Sequence, residues 1–189
     1  MNFSRKLFWF KKRLGWNHKY FVGKWNYIDR ETSRYLKIVE FIKETNIEKP
    51  KILDLGCGFG SLRKNIQVED FSHFLGIDLS DTAIYQAKKK NYEKTQFLVS
   101  DIQRYSSNEK YDVIVFNEVI YYLDDYMETL KYYSNFFNNG KGYFIISIYG
   151  IGQNFIDAIS KEYELVKTEN VHKKDNNAYW GITLFKTIN

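Results

Sequence analysis

The stretch Ile52-Leu53-Asp54-Leu55-Gly56-Cys57-Gly58-Phe59-Gly60 limits this chain's fold more than any other part of it. The aliphatic run from Lys51 to Leu55, behind Pro50, has the composition of a strand buried on both faces. It delivers Asp54, Gly56, Gly58 and Gly60 into a turn that opens a helix. Glycine is needed there because the backbone takes unusual dihedral angles or lies against a ligand with no Cβ between them. The spacing is G-x-G-x-G behind an acid, not the G-x-G-x-x-G that cradles a pyrophosphate. A pyrophosphate asks for bare N–H groups at a helix N-terminus, whereas an acid at a strand end asks for a cation such as an amine. A ligand carrying both an amino group and a carboxylate suits the loop better than a dinucleotide.

Three more apolar runs end in polar residues. Phe74 to Asp78 puts an acid where the second strand of a βαβ unit meets a ribose diol, and Leu79 follows it. Phe97 to Ile102 again carries an acid at its end, Asp101, placed to meet an adenine amino group, and Tyr111 to Phe116 leads into Asn117-Glu118-Val119-Ile120-Tyr121-Tyr122-Leu123. Strands are expected at 51–55, 73–77, 95–99, 112–116, 142–149, 162–171 and 178–187, the last two joined by the turn Lys173 to Asn177. Helices are expected at 31–45, 60–66, 80–90 with Ser80 as N-cap, 124–137 and 153–160. Alternating strands and helices make a parallel sheet with right-handed crossovers, and the closing pair without a helix adds an antiparallel edge.

Taken in order, these motifs resemble the class I S-adenosylmethionine-dependent methyltransferases over roughly residues 25 to 189. Asp54 to Gly60 matches the family's first motif, Asp78 its ribose acid, and Asp101-Ile102 the pair flanking adenine. Residues 117 to 123 are similar to the fourth motif of the small-molecule branch, particularly of enzymes that methylate sugar amines, such as the nodulation-factor N-methyltransferases. The resemblance implies an α/β, doubly wound seven-stranded Rossmann-like sheet of order 3-2-1-4-5-7-6 with helices on both faces. It implies S-adenosylmethionine as cofactor and S-adenosylhomocysteine as product. The implied cofactor residues are Asp54, Gly56, Cys57, Gly58, Gly60, Asp78, Leu79, Asp101, Ile102 and Asn117, with Trp25 and Tyr27 from a segment that folds over the cofactor in related enzymes.

Composition sets the remaining bounds. The length fits one domain, with hydrophobic residues at 44% and aromatics at 19% to fill its core. One cysteine, Cys57, and no cleavable leader point to the cytosol. Residues 1–28 hold Arg5, Lys6, Lys11, Lys12, Arg13, Lys19 and Lys24 and no acid, which leaves 28 − 7 = 21 basic against 23 acidic residues elsewhere, a net −2. We therefore divide the chain into a basic aromatic arm, 1–28, and a methyltransferase-like domain, 29–189. Phe3, Leu7, Phe10 and Leu14 recur at helical spacing. Such a helix is either a lid on the domain or, through residues 3–14, a contact with anionic lipid.

On the acceptor side, Glu118 stands where it would orient or deprotonate an amine or hydroxyl, or else cap the following helix. Asn117 and Tyr121 complete the tentative catalytic set. His18 and His172 are further candidate bases. No C-x-x-C or H-x-x-x-H pattern speaks for a metal. The N/D-P-P-Y/F motif of base-amino methyltransferases is absent, and the near-neutral body speaks against nucleic acid, leaving a small-molecule acceptor. A sugar or glycan precursor is the class that the resemblance suggests. An RNA methyltransferase using the basic arm, and a cofactor-binding regulator without transfer activity, are the rival readings.

Overall fold

The computed structural model describes residues 3–25, 32–150, 152–172 and 179–188, with side chains from residue 10 onward. Seven strands form one sheet: β1 (Lys51–Leu55), β2 (His73–Asp78), β3 (Thr95–Val99), β4 (Val113–Asn117), β5 (Tyr143–Tyr149), β6 (Tyr163–His172) and β7 (Tyr179–Thr187). Their order is β3-β2-β1-β4-β5-β7-β6, as expected. β1 to β5 run parallel, and β7 enters antiparallel between β5 and β6. Tyr27 and the turn from Lys173 to Asn177 lie outside the described residues.

Side chains alternate across each strand, so one run of apolar residues serves two cores. Ile52, Val113 and Val115 face α2 (Ser33–Glu44), α3 (Ser61–Lys64) and α4 (Asp81–Lys89), packing with Ile38, Phe41, Leu62 and Ile84. Leu53, Phe116 and Phe144 face α5 (Tyr126–Ser134) and α6 (Gln153–Ile159), packing with Leu130, Tyr133 and Ile156. Helices thus cover both faces, and the apolar stripe Tyr35, Ile38, Val39 and Ile42 of α2 is buried. Ser80 caps α4 by accepting from the Ala83 N–H at 3.2 Å.

Two helices are shorter than the sequence suggests. α3 stops at Lys64, because the Asn65 and Ile66 N–H groups turn back to Leu62 and Arg63. α5 stops at Ser134 rather than Phe137. Phe136 and Phe137 turn into the core, and the Phe136 carbonyl accepts from the Tyr111 N–H at 2.8 Å. The segment between β3 and β4 forms no helix. It leaves a groove of about 910 Å³ along the β3 edge, lined in part by Leu75, Gln96, Leu98 and Tyr111.

The arm is a helix, α1 (Phe3–Phe21), and it lies on the domain. Arg13 pairs with Asp81, the Asn17 amide donates to Asp81 at 2.8 Å, and the Ser80 hydroxyl donates to Asn17 at 2.7 Å. The arm is therefore latched to the first turn of α4.

Candidate active site

The polar residues expected to act together converge at the carboxyl ends of β1, β2 and β4. Asp54 is fully buried, and neither of its oxygens has a hydrogen-bond partner. Burial pushes its carboxyl up to about 7, while the Asn117 side chain and the Arg34 cation hold it down. A buried carboxylate without a partner costs several kcal/mol, on the order of 1–3 at the least. Such a group persists where something supplies the missing cation.

Arg34 is the residue that sequence reasoning missed. It opens α2, is 3% exposed, donates to the Tyr35 hydroxyl at 2.7 Å and stands 3.6 Å from Glu118. Its Nε is buried without a hydrogen-bond partner. The signal was present: Arg34 occupies the same helical stripe as Ile38 and Phe41, where a cation has no place unless it meets an anion. Asp54 and Arg34 thus leave one anionic and one cationic bonding position open in the same buried region.

Asp78 is satisfied, and in a way the sequence did not foretell. Its oxygens accept from the Gly58 N–H at 3.0 Å and the Ser80 N–H at 2.8 Å, and the Tyr20 hydroxyl of α1 donates to it as well. Burial pushes its carboxyl up to about 6, and these donors moderate the rise. The amides of the glycine loop are paired within the fold. The Gly56 and Cys57 N–H groups both donate to the Ile77 carbonyl, and the Gly60 N–H donates to Cys57. The loop is committed to its own fold.

Its glycines serve different neighbours. A Cβ on Gly58 would stand 3.0 Å from the Tyr20 hydroxyl, on the crevice side, whereas one on Gly60 would stand 2.7 Å from the Phe97 ring. Gly60 therefore brings the start of α3 close against the Phe97 ring of β3. The Cys57 side chain is turned into the core, and burial raises its thiol far above the range of a nucleophile.

Gly56, Leu79, Asp101 and Ile102 line a cavity with Asp78. Trp16 and Lys12 of α1 close it, leaving about 70 Å³. Trp16 meets Tyr122 edge-on at 5.1 Å and stacks with Trp25 at 6.0 Å, and the Lys12 ammonium donates to the Tyr122 carbonyl at 3.3 Å. Trp25 thus reaches the crevice through Trp16. A pocket for a small organic ligand occupies roughly 300–1,000 Å³. The cavity beneath α1 is smaller than that range.

On the opposite side Glu118 has φ of 57°, a left-handed conformation that costs a residue with a Cβ about 1–3 kcal/mol. It does not cap the turn that follows, whose N-cap is Val119. Instead its carboxylate accepts from the Tyr121 hydroxyl at 3.0 Å and the Ser147 hydroxyl at 3.3 Å, beside Arg34. Burial raises its pKa, with Arg34 and these hydroxyls opposing. The Ser147 hydroxyl also lies 3.4 Å from the Asn117 side-chain oxygen. Glu118, Asn117 and Tyr121 therefore meet, whereas His172 is exposed on β6 and His18 on α1. Among the described residues, Glu40, Glu44 and Glu169 form a group of metal-ligand type, but Lys37 and Lys167 pair with them at 2.6–2.7 Å. That group is a surface ion-pair network.

Sheet order, glycine loop and acids at the strand ends together define a doubly wound nucleoside-binding domain of the methyltransferase type. The chain belongs to the methyltransferase domain family, whose description matches residues 27–182. It is 27% identical over 161 residues to the putative methyltransferase 235L of Invertebrate iridescent virus 6, covering 82% of this chain and 56% of that protein. It is 27% identical over 121 residues to the malonyl-[acyl-carrier protein] O-methyltransferase of Bacillus anthracis, covering 63% and 44%. The chain spans about half the length of these relatives. Among solved structures it is similar to the N-methyltransferase NodS of Bradyrhizobium japonicum with bound S-adenosylhomocysteine. There the TM-score is 0.69 at 18% identity, covering 82% of this chain and 86% of that one.

Proposed function

We propose that the protein is an S-adenosylmethionine-dependent methyltransferase acting on an amine or hydroxyl of a small molecule, with sugars and glycan precursors as the first acceptor class to test. The observation that carries the cofactor reading is the pair of open bonding positions on Asp54 and Arg34. A methionine moiety carries an ammonium and a carboxylate on one carbon, and these complement the two residues in charge. Asp78 is the acceptor for a ribose diol once Tyr20 withdraws, and Asp101 with Ile102 borders the base. The bound cofactor supplies a methyl group on a sulfonium, open to in-line attack by a lone pair.

The chain's own part is to hold donor and acceptor in line, exclude water and manage one proton. Glu118 is the group that orients or deprotonates the acceptor. Its strained backbone, its hydrogen bonds from Tyr121 and Ser147 and its raised pKa support that role. The likeness of residues 117–123 to sugar-amine enzymes supports the acceptor class.

A methyl-label transfer assay with S-adenosylmethionine over amino sugars, other small amines and phenols, and RNA tests the reading. Label on a small amine or hydroxyl is the expected result. Label chiefly on RNA would overturn the acceptor class, and cofactor binding with no transfer across the panel would support a regulator instead.

A further inference from the structure

We propose that the exposed apolar flank of α1 docks on an anionic lipid surface. The helix has a docked side and, next to it, an exposed flank. Arg13, Asn17 and Tyr20 reach Asp81, Ser80 and Asp78 of the domain. Phe10, Leu14 and Phe21 lie directly beside that contact: at 3.6 residues per turn they fall within about 40° of one another around the helix axis, with Asn17 about 20° from Phe10. They are 52%, 50% and 81% exposed, and Val22, 56% exposed, extends the stripe past the last turn. Large apolar side chains gathered on one exposed stripe mark an interaction surface.

The charges identify the partner. Lys11 and Lys24 are exposed. Residues 1–28 carry seven basic groups and no acid, whereas the rest of the chain is net negative. An α1-to-α1 contact between two copies of this chain would bring the same cations together, so that form of self-association leaves the charge unexplained. An anionic bilayer matches both properties: aromatic and aliphatic side chains sink into the headgroup boundary while lysines stay among the phosphates. Among the described residues no helix is long and apolar enough to cross a membrane, so the helix lies in the surface. Each cation near such a surface strengthens partition about fivefold, and salt screens it.

Sedimentation of the full chain with phosphatidylcholine vesicles, with and without phosphatidylglycerol, tests this at low and high salt. The expected result is binding to the anionic vesicles, at least tenfold weaker at high salt or on the neutral ones. The triple variant Phe10→Glu, Leu14→Glu, Phe21→Glu changes only exposed positions and should keep the wild-type melting temperature while losing vesicle binding at least tenfold. Lys11→Glu with Lys24→Glu, which leaves the stripe intact, should lose the preference for anionic lipid. Wild-type protein that binds neither vesicle, or both equally, overturns the proposal. So does a triple variant that binds as well as wild type, or one whose only change is the loss of a dimer.

Discussion

Asp54 and Glu118 are both acids raised by burial, and the donors around them differ: Glu118 accepts from the Tyr121 and Ser147 hydroxyls. Asp54 is fully buried, and burial pushes its carboxyl up to about 7, against an ordinary value of 3.8, with the Asn117 side chain and the Arg34 cation opposing the rise. A pKa raised on folding means that the ligand-free protein binds an extra proton. The stability from that proton is complete below the ordinary value and is lost as pH climbs toward 7. Binding of an ammonium group reverses the preference, because only the ionised carboxylate attracts it. Affinity for S-adenosylhomocysteine should therefore rise about tenfold from about pH 6 to about pH 8, with proton release on binding. Calorimetry in buffers of different ionisation enthalpy reads both quantities. Asp54→Asn should flatten the profile, leaving the residual slope that Asp78, at about 6, contributes at the acidic end. A wild-type affinity independent of pH would remove Asp54 from the ammonium site.

Glu118→Gln keeps the shape of the side chain and removes its charge. If Glu118 handles the acceptor, kcat should fall by about 10²–10⁴ with cofactor affinity nearly unchanged. Full activity in that variant would leave Glu118 as a partner of Arg34 alone.

At the scale of elements, α1 covers the crevice. Its Tyr20 hydroxyl donates to Asp78, and Trp16 and Lys12 border a cavity of about 70 Å³. Tyr20→Phe removes the competing hydrogen bond, which is about 1 kcal/mol, so the cofactor should bind about fivefold more tightly. Affinity that falls instead, measured by the same titration, would mean that Tyr20 serves the bound cofactor. This contact was illegible in the sequence, because it joins residues 58 positions apart through a helix whose docking face depends on the completed domain. The strands were legible: β1, β2 and β4 are short aliphatic runs with a polar residue at the end, and that pattern is local. The end of α5 was not, since Phe136 and Phe137 continue the apolar pattern of the helix while belonging to the core beneath it. Arg34 was legible in principle as a cation on an apolar stripe, but its meaning requires Asp54 and Glu118 beside it.

For the whole molecule, the sheet brings together what the chain keeps apart. Asp54, Asp78 and Glu118 come from three neighbouring strand ends, and Arg34 from the helix packed over them. Two aromatic-rich cores hold that geometry from both sides, with Phe41 and Phe74 in one and Phe116 and Phe144 in the other. The charge is divided as well, the basic arm covering a crevice walled by acids. The central claim is that this crevice holds S-adenosylmethionine with Asp78 on its ribose. The most direct test is calorimetric titration of S-adenosylhomocysteine into Tyr20→Phe and into Tyr20→Phe, Asp78→Ala, since the first substitution removes the competing hydroxyl from both proteins. Loss of the acceptor for two buried hydroxyls is about 1–3 kcal/mol, so the double variant should bind about fivefold to a hundredfold more weakly. Equal affinity in the two proteins would contradict the account.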